Sequence, residues 1–124
     1  MSAAPASQRR RDLGVYGEDL AALWYQERGF EVLDRNWRCP QGEIDIVARK
    51  DDVLVFSEVK TRTSNSFGEP FEAVGPAKQR RLRPLAGAWL RALPAGAGRR
   101  RSFAVRFDVV SVTPEALSVI EAAF

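Results

Sequence analysis

Four ionisable side chains, Glu43, Asp45, Glu58 and Lys60, fall within a stretch that otherwise reads as a buried hairpin, "EIDIVARKDDVLVFSEVKT". Two apolar-rich runs flank the polar Arg49-Lys50-Asp51-Asp52 segment. With Asp51-Asp52 as a two-residue turn, Asp45 comes to lie opposite Glu58, and Glu43 opposite Lys60. Val47 then faces Phe56 on the same side, while Ile44, Ile46 and Ala48 meet Val59, Ser57 and Val55 on the other. Opposed Cβ atoms in such a pair sit about 5 Å apart, and like charges placed there destabilise a sheet. Asp45 against Glu58 therefore calls for a cation or a proton between them. The plainer alternative is an exposed hairpin end, with Glu43–Lys60 as a surface pair and a slipped register that separates the two acids.

Two carboxylates and an amine at one strand end form a specific chemical kit. Hard oxygens hold Mg²⁺ or Mn²⁺, and such an ion lowers the pKa of a bound water and stabilises charge building on a phosphate. Lys60, one strand period beyond Glu58, points to the same side and can position that water or offset phosphate charge. Other chemistries lack their parts. The chain has no histidine and one cysteine, Cys39. Serine–histidine and cysteine–histidine catalysis, a histidine-held transition metal and an internal disulfide cannot be assembled. Cys39 reads as a small half-buried filler.

The elements that must position this kit follow from periodicity. Residues 1–12 are small, polar and basic and read as a disordered tail; residues 13–124 suit a single domain. From Leu13 to Arg28 the apolar positions Leu13, Tyr16, Leu20, Leu23 and Trp24 recur at helical spacing, so this stripe should pack on the sheet, with Gly29 as C-cap. "FEVLDRNW" alternates as a strand and "RCPQG" turns. The hairpin strands run from Glu43 to Arg49 and from Val53 to Lys60. A helix over about Pro76 to Leu93 has proline at its first position. "FAVRFDVVSV" is a strand, and Leu117 to Phe124 a short final one. The order α-β-β-β-α-β-β predicts an α/β fold, a mixed sheet flanked by helices.

Net charge is only +3, yet from Ala73 to Phe107 there are nine Lys/Arg and no acid, which leaves the rest of the chain acidic. A basic block of Lys78, Arg80, Arg81, Arg83, Arg99, Arg100 and Arg101 beside acids suits a polyanion, with the acids free for metal. Its bland counterpart is a solvated helix and loop. No apolar run approaches a membrane span and no signal-peptide core is visible, so the expectations are a cytoplasmic protein and no membrane partner.

The pattern Asp45-x12-Glu58-x-Lys60 resembles the signature of the PD-(D/E)xK, or restriction-endonuclease-like, nucleases. The longer run "GEDLAALWYQERGFEVLDRNWRCPQGEIDIVARKDDVLVFSEVKTR" looks like the YraN-type family of uncharacterised bacterial proteins, relatives of archaeal Holliday-junction resolvases. That resemblance spans about Leu13 to Leu90 and continues more weakly through "RFDVV". It implies a restriction-endonuclease-like sheet, Asp45 and Glu58 as ligands for Mg²⁺ or Mn²⁺, Lys60 as the catalytic lysine, and Glu18 on the first helix as an additional acid. Gln79 matches a polar position near the site in such nucleases, and Glu43 is an outer partner expected to pair with Lys60. Ser57 departs from the apolar residue usual in relatives.

The expected function is a metal-dependent endonuclease acting on DNA, structure-selective for branched or flapped forms because no base-reading motif is visible. The rival is a non-catalytic nucleic-acid-binding module with a nuclease fold. Trp37, Phe67 and Phe71 divide between stacking on unpaired bases and anchoring the core. Whether a second copy of the chain joins as a homodimer stays open.

Overall fold

Residues 6–62, 76–94 and 103–124 are described by a computed structural model, with the side chains of 6, 7, 9–11 and 76–80 left aside. In chain order they form α1 (Ala6–Glu27), β1 (Glu31–Cys39), β2 (Gly42–Lys50), β3 (Val53–Thr61), α2 (Pro76–Arg91), β4 (Ala104–Val112) and β5 (Leu117–Ile120). This is the expected α-β-β-β-α-β-β order. The strands lie side by side as β1-β2-β3-β4-β5, all antiparallel except the parallel pair β3 and β4. A parallel pair needs a long crossover, which includes α2. The result is the mixed sheet flanked by helices that the element order predicts, consistent with the restriction-endonuclease-like sheet that the resemblance implies.

Each sheet face is covered by one helix. Ala21, Ala22 and Tyr25 of α1 pack with Ile46, Ala48, Val55, Val110 and Val112. Leu82, Leu85, Ala86 and Trp89 of α2 pack with Ile44, Val47, Leu54, Phe56 and Phe107. Both runs of strand residues are nearly continuous in apolar character, as a sheet buried on two faces requires. Cys39 and Trp37 are partly buried against the α2-side core. Trp37 thus makes the anchoring contact, one of its two expected roles.

The hairpin register is the expected one, running from Lys50↔Val53 to Ile46↔Ser57. Asp51 turns the corner at φ 53°, a conformation its short polar side chain tolerates. One face assignment is corrected. Ile44 packs on the α2 side with Val47, whereas Ile46 packs on the α1 side. Strict alternation would put Ile44 and Ile46 together, so β2 turns over between them, at Asp45. Opposite Asp45 in β1, between the pairs Arg35↔Ile46 and Trp37↔Ile44, Asn36 adopts φ 51°. Asparagine visits this left-handed region more readily than most residues.

Helix α1 differs from expectation twice. It begins at Ala6, so residues 6–12, read as part of a tail, are helical. Alanine, glutamine and arginine favour helix without any apolar period, and Gln8 donates to Asp12 one turn on at 2.8 Å. Its buried face is also rotated. Gly17, Ala21 and Tyr25 are buried, whereas Tyr16 and Leu23 are 55% and 48% exposed. Small residues let the helix lie close to the strands, which larger leucines on that face would prevent. The C-terminus is as expected. Gly29 takes φ 88°, its N–H reaches the Gln26 carbonyl, and Phe30 N–H reaches that of Tyr25. These are the two bonds of a Schellman cap.

The single departure noted in the strand, Ser57, finds its reason here. It is fully buried, 3.0 Å from the Tyr25 hydroxyl, which donates to Asp108 at 2.7 Å. Arg106 forks onto both Asp108 oxygens at 2.9 Å, and Ala122 N–H adds a third donor at 3.0 Å. Burial, then the charge of Asp108, hold the Tyr25 hydroxyl protonated well above the usual phenol range. Among the described residues no helix is long and apolar enough to cross a membrane.

Candidate functional site

The site grows from the place where β2 turns over. With its backbone rotated there, Asp45 sends its carboxylate toward β3, where Oδ2 accepts the Val59 N–H at 2.8 Å. Glu58, the residue before Val59, projects to the α2 side in step with Leu54 and Phe56. Asp45 and Glu58 line one cleft of about 390 Å³ together with Gln41, Gly42, Glu43, Arg81 and Leu82. The acids thus share one cleft, and Glu58 does not point into the apolar core. The paired ladder, however, stops at Ile46↔Ser57 and does not include the expected Asp45–Glu58 pair.

The electrostatics are those of crowded acids. Burial pushes the Asp45 carboxyl up to about 7; the Val59 N–H opposes this, and the charges of Glu18 and Glu58 reinforce it. Glu18, on α1, is also raised, first by burial and further by Glu43, while Arg35 and a hydrogen bond from Asn36 pull it down. One Glu18 oxygen is buried with no hydrogen-bond partner. Glu18 therefore belongs to the same electrostatic group as Asp45. Gly17 places it there: a Cβ at Gly17 would collide with the Thr61 side chain, so only glycine allows α1 this close to the end of β3.

Positive charge enters from two sides. Lys60 Nζ lies 3.7 Å from Glu58 Oε1, and Arg81 of α2 lies 3.8 Å from the same oxygen. Lys60 is thus on the side of Glu58, as expected. The expected Glu43–Lys60 pair is replaced. Glu43 pairs with Arg38, its cross-strand neighbour in β1, at 3.0 Å. Expecting β3 to supply the partner overlooks β1, which lies on the other side of β2.

The donor set is entirely oxygen, and the orphaned Glu18 oxygen together with the mutual repulsion of these acids fits an added divalent cation. Among the described residues no three acids are already gathered as ligands. Mg²⁺ does not require that, since it commonly takes one or two carboxylates and fills its shell with water and substrate phosphate. Asp45 and Glu58 are the two that would hold it.

The basic block divides. Arg81 faces the cleft, but Arg83 lies over the Phe107 and Phe124 rings, at 5.2 and 5.7 Å. Arg83 is thus placed over aromatic faces and not among the acids of the cleft. The side chains of Lys78, Gln79 and Arg80 fall outside the described residues. So do Phe67, Phe71, Arg99, Arg100 and Arg101 as a whole. Sequence reasoning misses Asn36 and Gly17 as site residues. A "WRCPQGE" hairpin preceded by asparagine gives the only hint of the first, and glycine one residue before Glu18 that of the second.

The family model described as "Uncharacterised protein family UPF0102" matches residues 17–112. A UPF0102 protein of Beutenbergia cavernae is 52% identical over 100 residues, covering 81% of this chain and 80% of the relative. One of Rhodococcus jostii is 53% identical over 100 residues, with the same coverage. One of Streptomyces griseus is 62% identical over 81 residues, covering 65% of this chain and 68% of its own.

Proposed function

We propose, for a chain that belongs to the uncharacterised protein family UPF0102, that its cleft hydrolyses phosphodiester bonds in DNA with Mg²⁺ or Mn²⁺ as cofactor. The observation that carries this reading is the meeting of Asp45 and Glu58 from neighbouring strands in one cleft, with Lys60 beside Glu58. A bound divalent ion would supply charge for a phosphate and a more acidic water. The protein's own residues do the rest. Val59 N–H fixes the Asp45 carboxylate, so that ligand is pre-oriented. Lys60, 44% exposed, offers an ammonium beside Glu58 to orient the attacking water or to neutralise phosphate charge. Glu18, held by Asn36, adds negative charge behind Asp45 and raises the demand for a cation. Arg81, with Lys78, Arg80, Arg99, Arg100 and Arg101 of the basic block, supplies sequence-independent phosphate contacts. Such contacts suit selection by DNA shape, as in branched or flapped forms, in the cytoplasm.

A non-catalytic binding module is the competing reading. Such a protein gains nothing from two like charges brought together in a half-buried cleft, and they cost it stability. The experiment is a cleavage assay on branched, flapped, duplex and single-stranded DNA with Mn²⁺, Mg²⁺ or EDTA, using the native chain and Asp45→Asn. Cleavage is expected only with metal and only in the native chain, while both proteins bind DNA. Binding by both with cleavage by neither would favour the binding module.

A further inference from the structure

Arg81 is held more loosely than Arg35, Arg38 and Arg106. Arg35 meets Asp19 at 2.6 Å, Arg38 meets Glu43 at 3.0 Å, and Arg106 forks onto buried Asp108 at 2.9 Å. Arg83 stacks over aromatic rings. Arg81 approaches Glu58 only to 3.8 Å, and its side chain is 57% exposed whereas that of Glu58 is 11% exposed. Its backbone is not loose: the next residue, Leu82, is buried, as is Leu85 one turn on. A fixed helix therefore presents a guanidinium that can swing at little cost across a cleft roomy enough for an ion and a phosphate.

We infer that Arg81 is a two-position residue, which stands in for the divalent ion beside Glu58 in the metal-free protein and turns to the substrate phosphate when an ion is bound. This inference rests on the proposed nuclease reading. The charge balance gives the reason. Without an ion, the crowded carboxylates of the cleft need a cation, and Arg81 supplies part of it. A dication on Asp45 and Glu58 removes that need and repels the guanidinium. Arginine's forked donors then match phosphate oxygens better than they match a carboxylate edge at 3.8 Å. Lys60, 3.7 Å from the same oxygen, shares the ion-free role, but its ammonium lacks the forked donors that suit a phosphate.

Competition is reciprocal: whatever Arg81 contributes at Glu58, an incoming ion must displace. The test titrates DNA-free protein with Mn²⁺ by calorimetry and by thermal shift, comparing the native chain with Arg81→Ala, Arg81→Gln and Arg83→Ala. Binding to a non-hydrolysable phosphorothioate junction with Ca²⁺ is measured alongside as a function of salt. Arg81→Ala and Arg81→Gln should bind Mn²⁺ severalfold more tightly than the native chain and lose one phosphate contact, about 0.9 in the log–log salt slope. Arg83→Ala should leave Mn²⁺ affinity unchanged. Alanine keeps the helix propensity of arginine, and the glutamine variant guards against a packing effect. Unchanged or weaker Mn²⁺ binding in both Arg81 variants would overturn the inference, and the nuclease reading would stand if the native chain still bound the ion and cut. Absence of Mn²⁺ binding in every protein, native included, would overturn both.

Discussion

The carboxylate of Asp45 accepts the main-chain N–H of Val59 at 2.8 Å, so a side chain closes the gap where the β2–β3 ladder ends at Ile46↔Ser57. Asp45 therefore has a structural part as well as a charge, and two substitutions separate them. Asparagine keeps an oxygen for Val59 and removes the charge; alanine removes both. Losing the acceptor should cost about 1 kcal/mol. In metal-free urea unfolding at pH 8, Asp45→Asn should be more stable than the native chain and Asp45→Ala less stable than Asp45→Asn. Equal stabilities for the two variants would show that Val59 finds another partner.

The same residue sets a pH dependence. Its folded value of about 7 lies above the ordinary 3.8, so between these values the folded chain binds more protons than the unfolded one. Stability contributed by protonated Asp45 is full below about pH 4 and is lost as pH rises toward 7. Metal-free native protein should show this decline between about pH 4.5 and 7.5 in excess of Asp45→Asn. Parallel profiles for the two proteins would mean that Asp45 titrates near its ordinary value.

Metal and proton compete for that carboxylate. Mn²⁺ should raise the melting temperature at pH 8, with linkage worth about 2.7 kcal/mol at a hundredfold excess over Kd. Well below pH 7 its apparent affinity should fall by about tenfold per pH unit, because Asp45 must release a proton to bind. A shift that is the same at pH 5.5 and pH 8 would place the ion elsewhere.

Gly17→Ala should harm the site from a distance. The added methyl meets not only the Thr61 hydroxyl but its Cβ at 2.9 Å, which the strand backbone fixes, so rotating the threonine does not make room. Helix α1 must shift, carrying Glu18 away from Asp45. Loss of about 1–3 kcal/mol is expected from such overpacking, together with weaker Mn²⁺ binding. Thr61→Gly in the same chain should restore part of both; no restoration would mean that the damage lies elsewhere in the helix.

Much of this is readable in the sequence because it depends on local pattern. The Asp51-Asp52 turn fixes the register as far as Ile46↔Ser57, one step short of Asp45 and Glu58, and Gly29 ends its helix by backbone conformation alone. What escapes depends on contacts between distant segments. Tyr25, Ser57, Asp108 and Arg106 come from three elements, and nothing in their spacing announces one buried network. Periodicity misplaces the face of α1 because large apolar residues dominate it, while close packing selects Gly17 and Ala21. The reversal at Asp45 needs a left-handed Asn36 in the neighbouring strand, and a single asparagine is a weak local signal. Glu43 pairs toward β1 because its strand has neighbours on both sides. A count of basic residues likewise cannot tell Arg81, which faces the acids, from Arg83, which lies on Phe107 and Phe124.

The buried network gives a prediction that separates folding from the cleft. Tyr25→Phe deletes the donor to Asp108 and the partner of Ser57, at a cost of about 1–3 kcal/mol. Asp108→Ala also strands Arg106, which is only 22% exposed, and should cost about 3–5 kcal/mol. Both losses are on the α1 side of the sheet, whereas Glu58 and Arg81 meet on the α2 side. Chemical denaturation should therefore rank Asp108→Ala below Tyr25→Phe and both below the native chain. At a temperature where Tyr25→Phe is folded, calorimetry should return the native Kd for Mn²⁺. A weakened ion site in that folded variant would mean that the two faces of the sheet are coupled, with Ser57 next to Glu58 on β3 as the first place to look.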